Sequence, residues 1–361
     1  MARAIQLATK GLYTTDPNPR VGCVLVKNDG IVSEGWTQPA GDAHAEIHAL
    51  NNAVINKIDV TGATAYVSLE PCCFTGLTGP CTDALISAGI KKVVYAMEDP
   101  NPKVAGKGLA QLQAAGIEVV GPVLEENART LNPGFIKRMQ TGLPFVRVKM
   151  AMSLDGRTAM ASGESKWITS APAREDVQRL RARSSAVVTG IGTVLHDNPE
   201  LCVRPEEIGL RTTDIKQPLR VVVDSQARLP MEARVLKSDG AVLHVCAVEA
   251  GMEKTDKAYQ RITIELKNGK IDLLQLLKHL AALNCNEVLV EAGATLAGQF
   301  IQQGLVDEMI VYLAPKLLGS KARPLFELPL DTMAAQLGLH IQDVRAVGQD
   351  WKITATLDPE A

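Results

Sequence analysis

The chain has 361 residues, which is enough for two domains that each bury a hydrophobic core. Its net charge of −2 and its 46% hydrophobic residues exclude a disordered chain, and they give no electrostatic reason to expect a nucleic-acid partner. Neither an export signal nor an apolar run long enough to span a membrane occurs in the sequence, so we expect a cytoplasmic protein without a membrane partner.

Strands and helices are predicted to alternate in the first part of the chain. The predicted strands are Val21–Val26, Ile31–Trp36, Thr64–Leu69, Lys92–Ala96 and Ile117–Gly121. The predicted helices are Ala45–Val54, Thr82–Ala88 and Gly106–Ala115. Asn28-Asp29-Gly30 is a turn signal between the first two strands, which should therefore form a hairpin. A hairpin followed by βαβ units predicts one three-layer α/β domain.

A second α/β pattern follows a boundary that we place after Leu143. A polar helical stretch, Glu125–Gln140, leads to Gly and Pro at Thr141–Pro144, so the expected domains are 1–143 and 144–361. Further strands are predicted at Phe145–Met150, Ala186–Gly190, Leu219–Asp224, Val242–Val248, Glu287–Glu291 and Glu308–Leu313. Helices are predicted at Pro172–Arg183, Ile271–Leu283 and Thr295–Gln303. The last segments, Ile341–Val347 and Trp351–Leu357, are typical of an antiparallel pair that closes the sheet.

Three of the seven cysteines, Cys72, Cys73 and Cys81, lie within a span of ten positions. In a reducing compartment, such clustering favours metal binding over disulfides. The cluster lies downstream of His44-Ala45-Glu46. One imidazole and two thiolates are a ligand set of catalytic zinc sites, which keep a fourth position for water. The sequence therefore predicts zinc bound by His44, Cys72 and Cys81.

Glu46 lies two residues beyond the predicted ligand His44, close enough to face a water on the metal without binding the metal itself. Zinc lowers the pKa of such a water towards neutrality, and a carboxylate can carry its proton to a departing amine. The expected reaction is therefore a hydrolytic deamination. Hydroxide attacks an amidine-like ring carbon, Glu46 delivers a proton to nitrogen, and ammonia leaves.

The predicted ligands fall beside predicted helices. His44 precedes the helix Ala45–Val54, and Cys81 precedes the next helix, where a helix N-terminus favours thiolate. Three apolar positions of the first helix form one stripe, namely Ile47, Leu50 and Val54.

The spacing of the two cysteine ligands is unusual for this kind of site. The common zinc deaminase signature ends in P-C-x-x-C, whereas Gly76, Gly79 and Pro80 here lie between Cys72 and Cys81. These residues predict a loop that returns the second thiolate to the metal.

Two other interpretations of the cluster stay open at this point. Cys73 or His48 could complete a structural zinc site with four protein ligands, although adjacent cysteines make an awkward chelate and His48 fits a helix face better. The other alternative is an RNA-editing module that contains a zinc deaminase domain. The near-neutral charge and the 4% aromatic residues argue against that module.

The metal motif and its surroundings resemble the bifunctional deaminase-reductase family of riboflavin biosynthesis. Upstream and downstream of the ligands, the matching motifs are Asn18-Pro19-x-Val21-Gly22 and Asp99-Pro100-Asn101-Pro102-x-Val104-x-Gly106-x-Gly108. In the second half they are Lys149-x-x-x-Ser153-Leu154-Asp155-Gly156-Arg157-Thr158-Ala159, Ser165-x-Trp167-Ile168-Thr169-Ser170, Gly192-Thr193-Val194-x-x-Asp197-Asn198-Pro199-x-Leu201 and Val290-Glu291-Ala292-Gly293-Ala294-Thr295-Leu296. Many relatives carry Ser-His after the first ligand cysteine, where this chain has Cys73-Phe74.

The resemblance implies a cytidine-deaminase-like three-layer α/β/α domain and a dihydrofolate-reductase-like α/β domain. It also implies two reactions: hydrolysis of the 2-amino group of 2,5-diamino-6-(5-phosphoribosylamino)pyrimidin-4(3H)-one, then reduction of the ribosyl group to ribityl by NADPH. A pyrimidine ribose phosphate is thus the expected small-molecule partner, and a homo-oligomer is expected.

The resemblance further implies a role for individual residues. The zinc ligands are His44, Cys72 and Cys81, with Glu46 as the proton shuttle. The residues that line the cofactor site are Ala151, Trp167, Thr193, Asp197, Ser225, Gly293, Ala294, Thr295 and Leu296. The residues that contact the substrate are Ser165, Arg181, Leu201, Arg204 and Glu291, with Lys149 beside them.

The residues of the second half alone are less specific. No G-x-G-x-x-G follows a predicted strand. Two segments in which a turn follows a strand, Thr189–Thr193 and Glu291–Thr295, could bring backbone N–H groups to a phosphate. Such turns more often serve only to connect a strand to a helix. A further hypothesis is that Glu291 assists proton transfer as the sugar ring opens.

Two arginines of this half, Arg181 and Arg204, suit a phosphate because guanidinium is always charged and forks towards oxygen. The alternative for Arg181 is a solvated helix face, since Arg179 and Arg183 flank it.

Overall fold

The computed structural model describes residues 1–76, 78–211, 215–248 and 258–358. Its backbone contacts divide the chain into two units, Met1–Leu143 and Pro144–Ala361. In these described ranges, every helix is too short or too polar to cross a membrane.

The first unit is a five-stranded sheet with helices on both faces. Its strands are β1 (Gly22–Lys27), β2 (Gly30–Trp36), β3 (Thr64–Val67), β4 (Lys92–Tyr95) and β5 (Glu118–Val120). Its helices are α1 (Ala2–Ala8), α2 (Ala45–Ile55), α3 (Cys81–Ser87), α4 (Lys107–Ala114), α5 (Glu125–Arg129) and α6 (Pro133–Thr141). Cys23 and Leu25 of β1 pack in the main core, whereas Val24 packs with α1. Strand β1 is therefore apolar on both faces, as expected of a covered strand.

Strand order in this sheet is β2-β1-β3-β4-β5, with β1 antiparallel to both neighbours and β3, β4 and β5 parallel. The predicted hairpin is confirmed, because Lys27 pairs with Gly30 and leaves a two-residue turn. Asn28 and Asp29 have φ angles of 51° and 60° in that turn. Positive φ at both central positions matches the right-handed twist of the two strands.

Helix α2 approaches strand β2 closely through its alanines, and of its apolar stripe Leu50 is partly buried against the core. Its buried residues are Ala45, Glu46, Ala49 and Ala53, whereas Val54 is 76% exposed. A Cβ atom added at Gly35 of β2 would lie 2.4 Å from the Ala45 oxygen and the Ala49 nitrogen. Because backbone touches backbone here, only small side chains fit between helix and sheet.

The predicted continuous helix at 125–140 is wrong, because the chain forms two helices there. Helix α5 ends before Asn132, and helix α6 begins directly after it. Pro133 is the first residue of α6, and the residue before a proline is driven out of the helical region. The buried Asn132 side chain accepts a hydrogen bond from the Arg20 amide at 2.8 Å and donates one to the Arg20 carbonyl at 2.9 Å. The break thus ties the end of this unit to the loop before β1.

The second unit is a nine-stranded sheet with two small strand pairs beside it. Its strands are β6 (Phe145–Ser153), β7 (Arg157–Ala159), β8 (Ala186–Gly190), β9 (Leu219–Val223), β10 (Val242–Cys246), β11 (Tyr259–Thr263), β12 (Leu266–Lys267), β13 (Lys270–Ile271), β14 (Glu287–Val290), β15 (Glu308–Ala314), β16 (Arg323–Pro324), β17 (Leu339–Val347) and β18 (Asp350–Leu357). Its helices are α7 (Ala171–Ala182), α8 (Ile191–Asp197), α9 (Arg234–Lys237), α10 (Leu273–Ala282) and α11 (Ala294–Gln302).

Strand order in the large sheet is β11-β10-β9-β8-β14-β6-β15-β18-β17. Strands β11 to β15 in this order are parallel, and β18 and β17 are antiparallel, so the predicted closing pair is confirmed. The carboxyl ends of β9, β8, β14 and β6 consequently meet at one edge. In open parallel sheets, ligands bind at this edge.

The closing hairpin is tied to the start of helix α7. Asp350 at the turn of β17 and β18 is buried, and it accepts hydrogen bonds from the Ser170 amide at 2.7 Å and the Ser170 hydroxyl at 2.6 Å. Ser170 is the residue that precedes α7. The end of the chain thus fixes the segment that runs into this helix.

We expect Gly35→Ala to lower the free energy of unfolding by about 1–3 kcal/mol, because the added methyl group forces α2 away from β2. The measurement is urea denaturation of the full chain. Gly30→Ala on the same strand is the matched control, since a Cβ there would approach only the Lys27 oxygen, at 3.7 Å. Equal stability of the two variants would contradict the close approach.

Candidate functional site

Three potential metal ligands of the first unit lie close together, with two cysteine sulfurs beside one nitrogen of a histidine ring. His44 is the residue that precedes helix α2, Cys72 follows strand β3, and Cys81 begins helix α3. His44 Nδ1 lies 3.5 Å from Cys72 Sγ and 3.3 Å from Cys81 Sγ. The ligand atoms of the three residues all lie within 4.8 Å of one another. The loop with the long spacing therefore returns the second sulfur to the first, as predicted.

Of the two ligand cysteines, Cys72 is the one that ionises easily, because its hydrogen bond to Cys81 and the burial of Cys81 raise the pKa of Cys81 well above its ordinary value. The pKa of Cys72 is lowered to about 4. The main cause is a hydrogen bond from the Cys81 thiol, which stabilises the Cys72 thiolate, and His44 has a smaller effect in the same direction. The Cys81 amide also donates to Cys72 Sγ at 3.4 Å. Zinc requires deprotonated ligands and prefers this sulfur and nitrogen set. The residues present thus fit a zinc ion.

The second nitrogen of His44 points away from the two sulfurs. His44 Nε2 lies 3.4 Å from Thr78 Oγ1 in the loop between the cysteines. Ligating histidines commonly bond a polar group through their other nitrogen, which fixes the tautomer and the ring orientation. Sequence reasoning did not identify Thr78, because its contact depends on the fold of the loop.

Glu46 lies on the buried face of α2, next to the three ligands. It is 3% exposed, and burial, together with the nearby Cys72 sulfur, raises its pKa to about 7. A carboxyl group with this pKa can both take up and release a proton near neutral pH. The structure therefore places the buried Glu46 carboxyl beside the three potential ligands.

The four-ligand alternative has little support from the structure. Among the residues that the structure describes, the group that could hold a metal contains His44, Cys72 and Cys81, without Cys73 or His48. The Nδ1 atom of His48 instead lies 3.3 Å from the Trp36 amide and 2.9 Å from Gln38 Nε2. His48 is thus a structural residue of the α2 surface.

The second unit has a cavity of about 1000 Å³ at the carboxyl edge of its sheet. Every residue that the resemblance assigns to the reductase half lines this cavity. They are Lys149, Ala151, Ser165, Trp167, Arg181, Thr193, Asp197, Leu201, Arg204, Ser225, Glu291, Gly293, Ala294, Thr295 and Leu296. These positions come from distant segments, so the fold brings them together.

A buried ionic cluster forms one wall of the cavity. Arg181 donates to both oxygens of Glu291, at 2.6 and 3.0 Å, and Lys149 Nζ lies 3.9 Å from the same carboxylate. Burial alone would raise the pKa of Glu291, but the charge and hydrogen bonds of Arg181 hold that pKa below its ordinary value. Burial lowers the pKa of Lys149. Glu291 is therefore a fixed anion beside a lysine that gives up its proton more easily than usual.

The solvated-face alternative for Arg181 is wrong, because its side chain is 14% exposed and bonds Glu291. Arg179, two residues earlier on the same helix, lies on the outer face and pairs with Glu175 at 2.7 Å. Arg204 is 45% exposed and pairs with Glu207 at 3.0 Å. Of the two predicted phosphate-binding arginines, Arg204 is the more accessible.

Another part of the cavity lining is open backbone, which suits a dinucleotide. A Cβ atom added at Gly192 or Gly293 would meet no other protein atom within 4 Å, and both residues line the cavity. Gly293 precedes the nine-residue helix α11, whose first N–H groups favour phosphate. Backbone of this kind can approach the diphosphate of a nicotinamide cofactor, so the cavity fits NADPH.

The loop before α7 and the first turn of α7 carry further groups that line this cavity. The Ser165 hydroxyl donates to Asp197 at 2.9 Å, and Lys166 Nζ donates to the Asp197 carbonyl at 3.3 Å. Arg174 lies 4.5 Å from the ring centre of Trp167, which is 64% exposed. Sequence reasoning missed Lys166 and Arg174, since their contacts depend on how the loop folds back.

Two family descriptions match the chain. The cytidine and deoxycytidylate deaminase zinc-binding region matches residues 1–97, and the RibD C-terminal domain matches residues 144–353. Together with the ligand cluster and the cavity, they define a two-domain protein with a zinc-type deaminase region ahead of a reductase-type domain.

Relatives match over nearly the whole chain. The riboflavin biosynthesis protein RibD of Escherichia coli K12 is 49% identical, covering 97% of this chain and 96% of the relative. The RibD of Haemophilus influenzae is 47% identical, with coverage of 99% and 96%. The chain belongs to the RibD family of riboflavin biosynthesis proteins.

Solved structures agree. A structure of Acinetobacter baumannii RibD has a TM-score of 0.92 at 46% identity, covering 99% of this chain and 97% of that one. A Thermotoga maritima structure described as a diaminohydroxyphosphoribosylaminopyrimidine deaminase/5-amino-6-(5-phosphoribosylamino)uracil reductase has a TM-score of 0.87 at 33% identity, with the same coverage. The cytidine-deaminase-like and reductase folds predicted from the sequence are thus confirmed.

We expect Cys81→Ser to lose most of the zinc that the purified protein carries, from about one ion per chain, because two protein ligands remain. Metal content by atomic emission is the measurement. Cys73→Ser is the matched control and should keep its zinc. A comparable loss in the control would show that Cys73 is itself a ligand.

Proposed function

We propose that this chain catalyses two consecutive steps of riboflavin biosynthesis. The first is the zinc-dependent hydrolytic deamination of 2,5-diamino-6-(5-phosphoribosylamino)pyrimidin-4(3H)-one. The second is the NADPH-dependent reduction of the ribosyl side chain of the product to ribityl. The observation that carries the first step is the convergence of two sulfurs on His44 Nδ1 beside the buried Glu46. The residues gathered in the reductase cavity support the second step.

In the deaminase domain, residues 1–143, His44, Cys72 and Cys81 would hold zinc. Bound zinc supplies Lewis acidity, which lowers the pKa of a water molecule towards neutrality. Glu46 accepts a proton on its carboxylate and returns it to the leaving amine, so that ammonia departs as a neutral molecule. Its raised pKa suits both transfers, and its burial keeps bulk water from competing for the proton.

In the reductase domain, residues 144–361, the chain binds and orients two ligands. NADPH supplies a hydride, and the protein positions it against the sugar. Ala151, Trp167, Thr193, Asp197, Ser225 and Gly293–Leu296 would contact the cofactor. Lys149, Ser165, Arg181, Leu201, Arg204 and Glu291 would contact the substrate.

The ionic cluster separates the roles of the charged residues in this domain. Arg204 can reach a phosphate, whereas Arg181 is already held by two bonds to Glu291. Because Arg181 keeps Glu291 ionised, that carboxylate accepts a proton or a hydroxyl hydrogen bond from the opening sugar and does not donate one. If Glu291 assists ring opening, it therefore acts as a base and not as an acid.

A homo-oligomer and a cytoplasmic location are further parts of the proposal. The edge strand β17 exposes Leu339, Ile341 and Val344, each at least half exposed, and Trp351 of β18 is 49% exposed beside them. A second copy would cover this apolar edge. The seven cysteines lie outside any disulfide in the part of the chain that the structure describes, and two of them belong to the candidate metal site, which fits a reducing compartment.

We expect Glu46→Gln to reduce deamination by about 10²- to 10⁴-fold, because the amide can neither take up nor return the proton. Ammonia release from the diaminopyrimidine phosphate measures this step. The same variant should keep its zinc, and it should oxidise NADPH at the wild-type rate when given the deaminated product. Full ammonia release would exclude Glu46 as the shuttle.

The two-step assignment is tested by incubating the purified protein with the diaminopyrimidine phosphate, with and without NADPH. Without NADPH we expect the deaminated ribosyl product, about 1 mass unit heavier, because an amino group is replaced by a carbonyl oxygen. With NADPH we expect the ribityl product, about 2 mass units heavier again, from the hydride and one proton. A reduced product that still carries the 2-amino group would overturn the proposed order.

A further inference from the structure

The segment from Asp99 to Gly108 carries one of the motifs that the chain shares with its family, and the proposed function gives this segment no role. It joins strand β4 to helix α4 (Lys107–Ala114). The segment and the helix contact both stretches of chain that carry a cysteine ligand. What these contacts do for the candidate zinc site is a question that rests on the proposed deaminase function.

Glu70 lies two residues before the ligand Cys72, and its buried carboxyl group accepts hydrogen bonds from the backbone of this segment. Its Oε2 atom accepts from the Asp99 amide at 3.1 Å and from the Gly106 amide at 2.9 Å. Its Oε1 atom accepts from the Gly108 amide at 2.9 Å. A carboxylate is stabilising at a helix N-terminus, where backbone N–H groups lack partners. Glu70 thus ties the start of α4 to the segment that leads to Cys72.

Helix α4 and this ligand segment touch directly at Gly108. A Cβ atom added there would lie 2.2 Å from the Pro71 carbonyl oxygen and 3.1 Å from Glu70 Oε1. Pro71 is the residue directly before Cys72. Because only a glycine fits at this contact, the first turn of α4 lies against the backbone beside the ligand.

The same helix also holds the segment of the second ligand, Cys81. Thr82 directly follows Cys81 in helix α3 and is fully buried. Its hydroxyl donates to Gln111 Oε1 on α4 at 2.9 Å. Gln111 Nε2 donates to Asp83 Oδ1 at 2.7 Å, which orients the amide so that its oxygen faces Thr82.

The two ligand segments are bonded to each other beside the sulfurs. The Thr82 amide donates to the Cys72 carbonyl at 3.2 Å, and the Cys81 amide donates to Cys72 Sγ at 3.4 Å. Thr82 therefore bonds the backbone of one ligand, follows the other ligand in sequence and bonds α4 through its side chain. A shift of Thr82 would change the separation of the two sulfurs.

We propose that helix α4 positions the two cysteine ligands for zinc, with Gln111 and Thr82 as the positioning residues. Neither side chain binds the metal. Glu70 fixes the helix on which Gln111 lies. Groups behind the ligands of a metal contribute about 10- to 100-fold to its affinity, because they hold the ligands in the binding geometry. The long loop between Cys72 and Cys81 needs such support, since closing a longer loop costs more conformational entropy.

The test is the dissociation constant of zinc, measured on the full chain by competition with a chelator of known affinity. Thr82→Val removes the hydroxyl and keeps the shape of the side chain, and Gln111→Ala removes the acceptor. We expect each change to weaken zinc binding by about 10-fold or more. The double variant should bind zinc within about twofold of Thr82→Val alone, because both changes remove the same bond.

Two further variants serve as controls. Thr82→Ser keeps the hydroxyl and should bind zinc about as tightly as the wild type. Gln113→Ala is the matched control for Gln111→Ala, since Gln113 lies on the exposed side of the same helix. It should leave the dissociation constant unchanged. A bond that only stabilised the fold would stabilise the zinc-free and the zinc-bound chain alike, and its loss would not alter this constant.

The outcomes separate the inference from the proposed function. If the wild-type chain binds no zinc, the proposed metal site fails and the inference fails with it. If the wild type binds zinc and both Thr82→Val and Gln111→Ala match Gln113→Ala, only the inference is overturned. The same holds if the effects of the two changes add in the double variant. Gln111 is half-buried, so Gln111→Ala alone decides the result if thermal melting shows that Thr82→Val is misfolded.

Discussion

The chemistry of the first domain depends on one nitrogen atom, His44 Nδ1, around which two sulfurs from a second segment gather. Neither cysteine could hold this position alone, because Cys72 lies in the loop after strand β3 and Cys81 begins helix α3. The loop between them has to close while the backbone of α2 stays against β2. The tight contact at Gly35 is therefore part of the metal site, although it contributes no ligand. If that helix shifted, the imidazole and the Glu46 carboxyl would leave the sulfurs together.

The second domain solves a different problem, since it has to hold two ligands side by side. Its parallel strands end at one edge, and these ends contribute different kinds of group: an ion cluster at β6 and β14, and open backbone at β8 and β14.

The metal site was predictable from the residues because its chemistry is local and needs particular side chains. A His-x-Glu before a helix and two cysteines after a strand allow few other uses in a reducing compartment. The packing of α2 was not predictable from its apolar stripe, since a missing side chain at Gly35 decides which face is buried. The reductase positions came from family resemblance and not from physics, because short glycine turns occur in every α/β protein. Strands as short as β7, β12, β13 and β16 have too few residues for a periodic pattern.

The bond between Asp350 and Ser170 has a practical consequence for work on this protein. The hairpin of β17 and β18 lies far in sequence from Trp167. It nevertheless bonds Ser170, which lies between the loop that contains Trp167 and helix α7. Shortened versions that stop after β15 would keep every residue assigned to cofactor and substrate and still lose the anchor of this loop. Expression designs should therefore leave the hairpin of β17 and β18 intact.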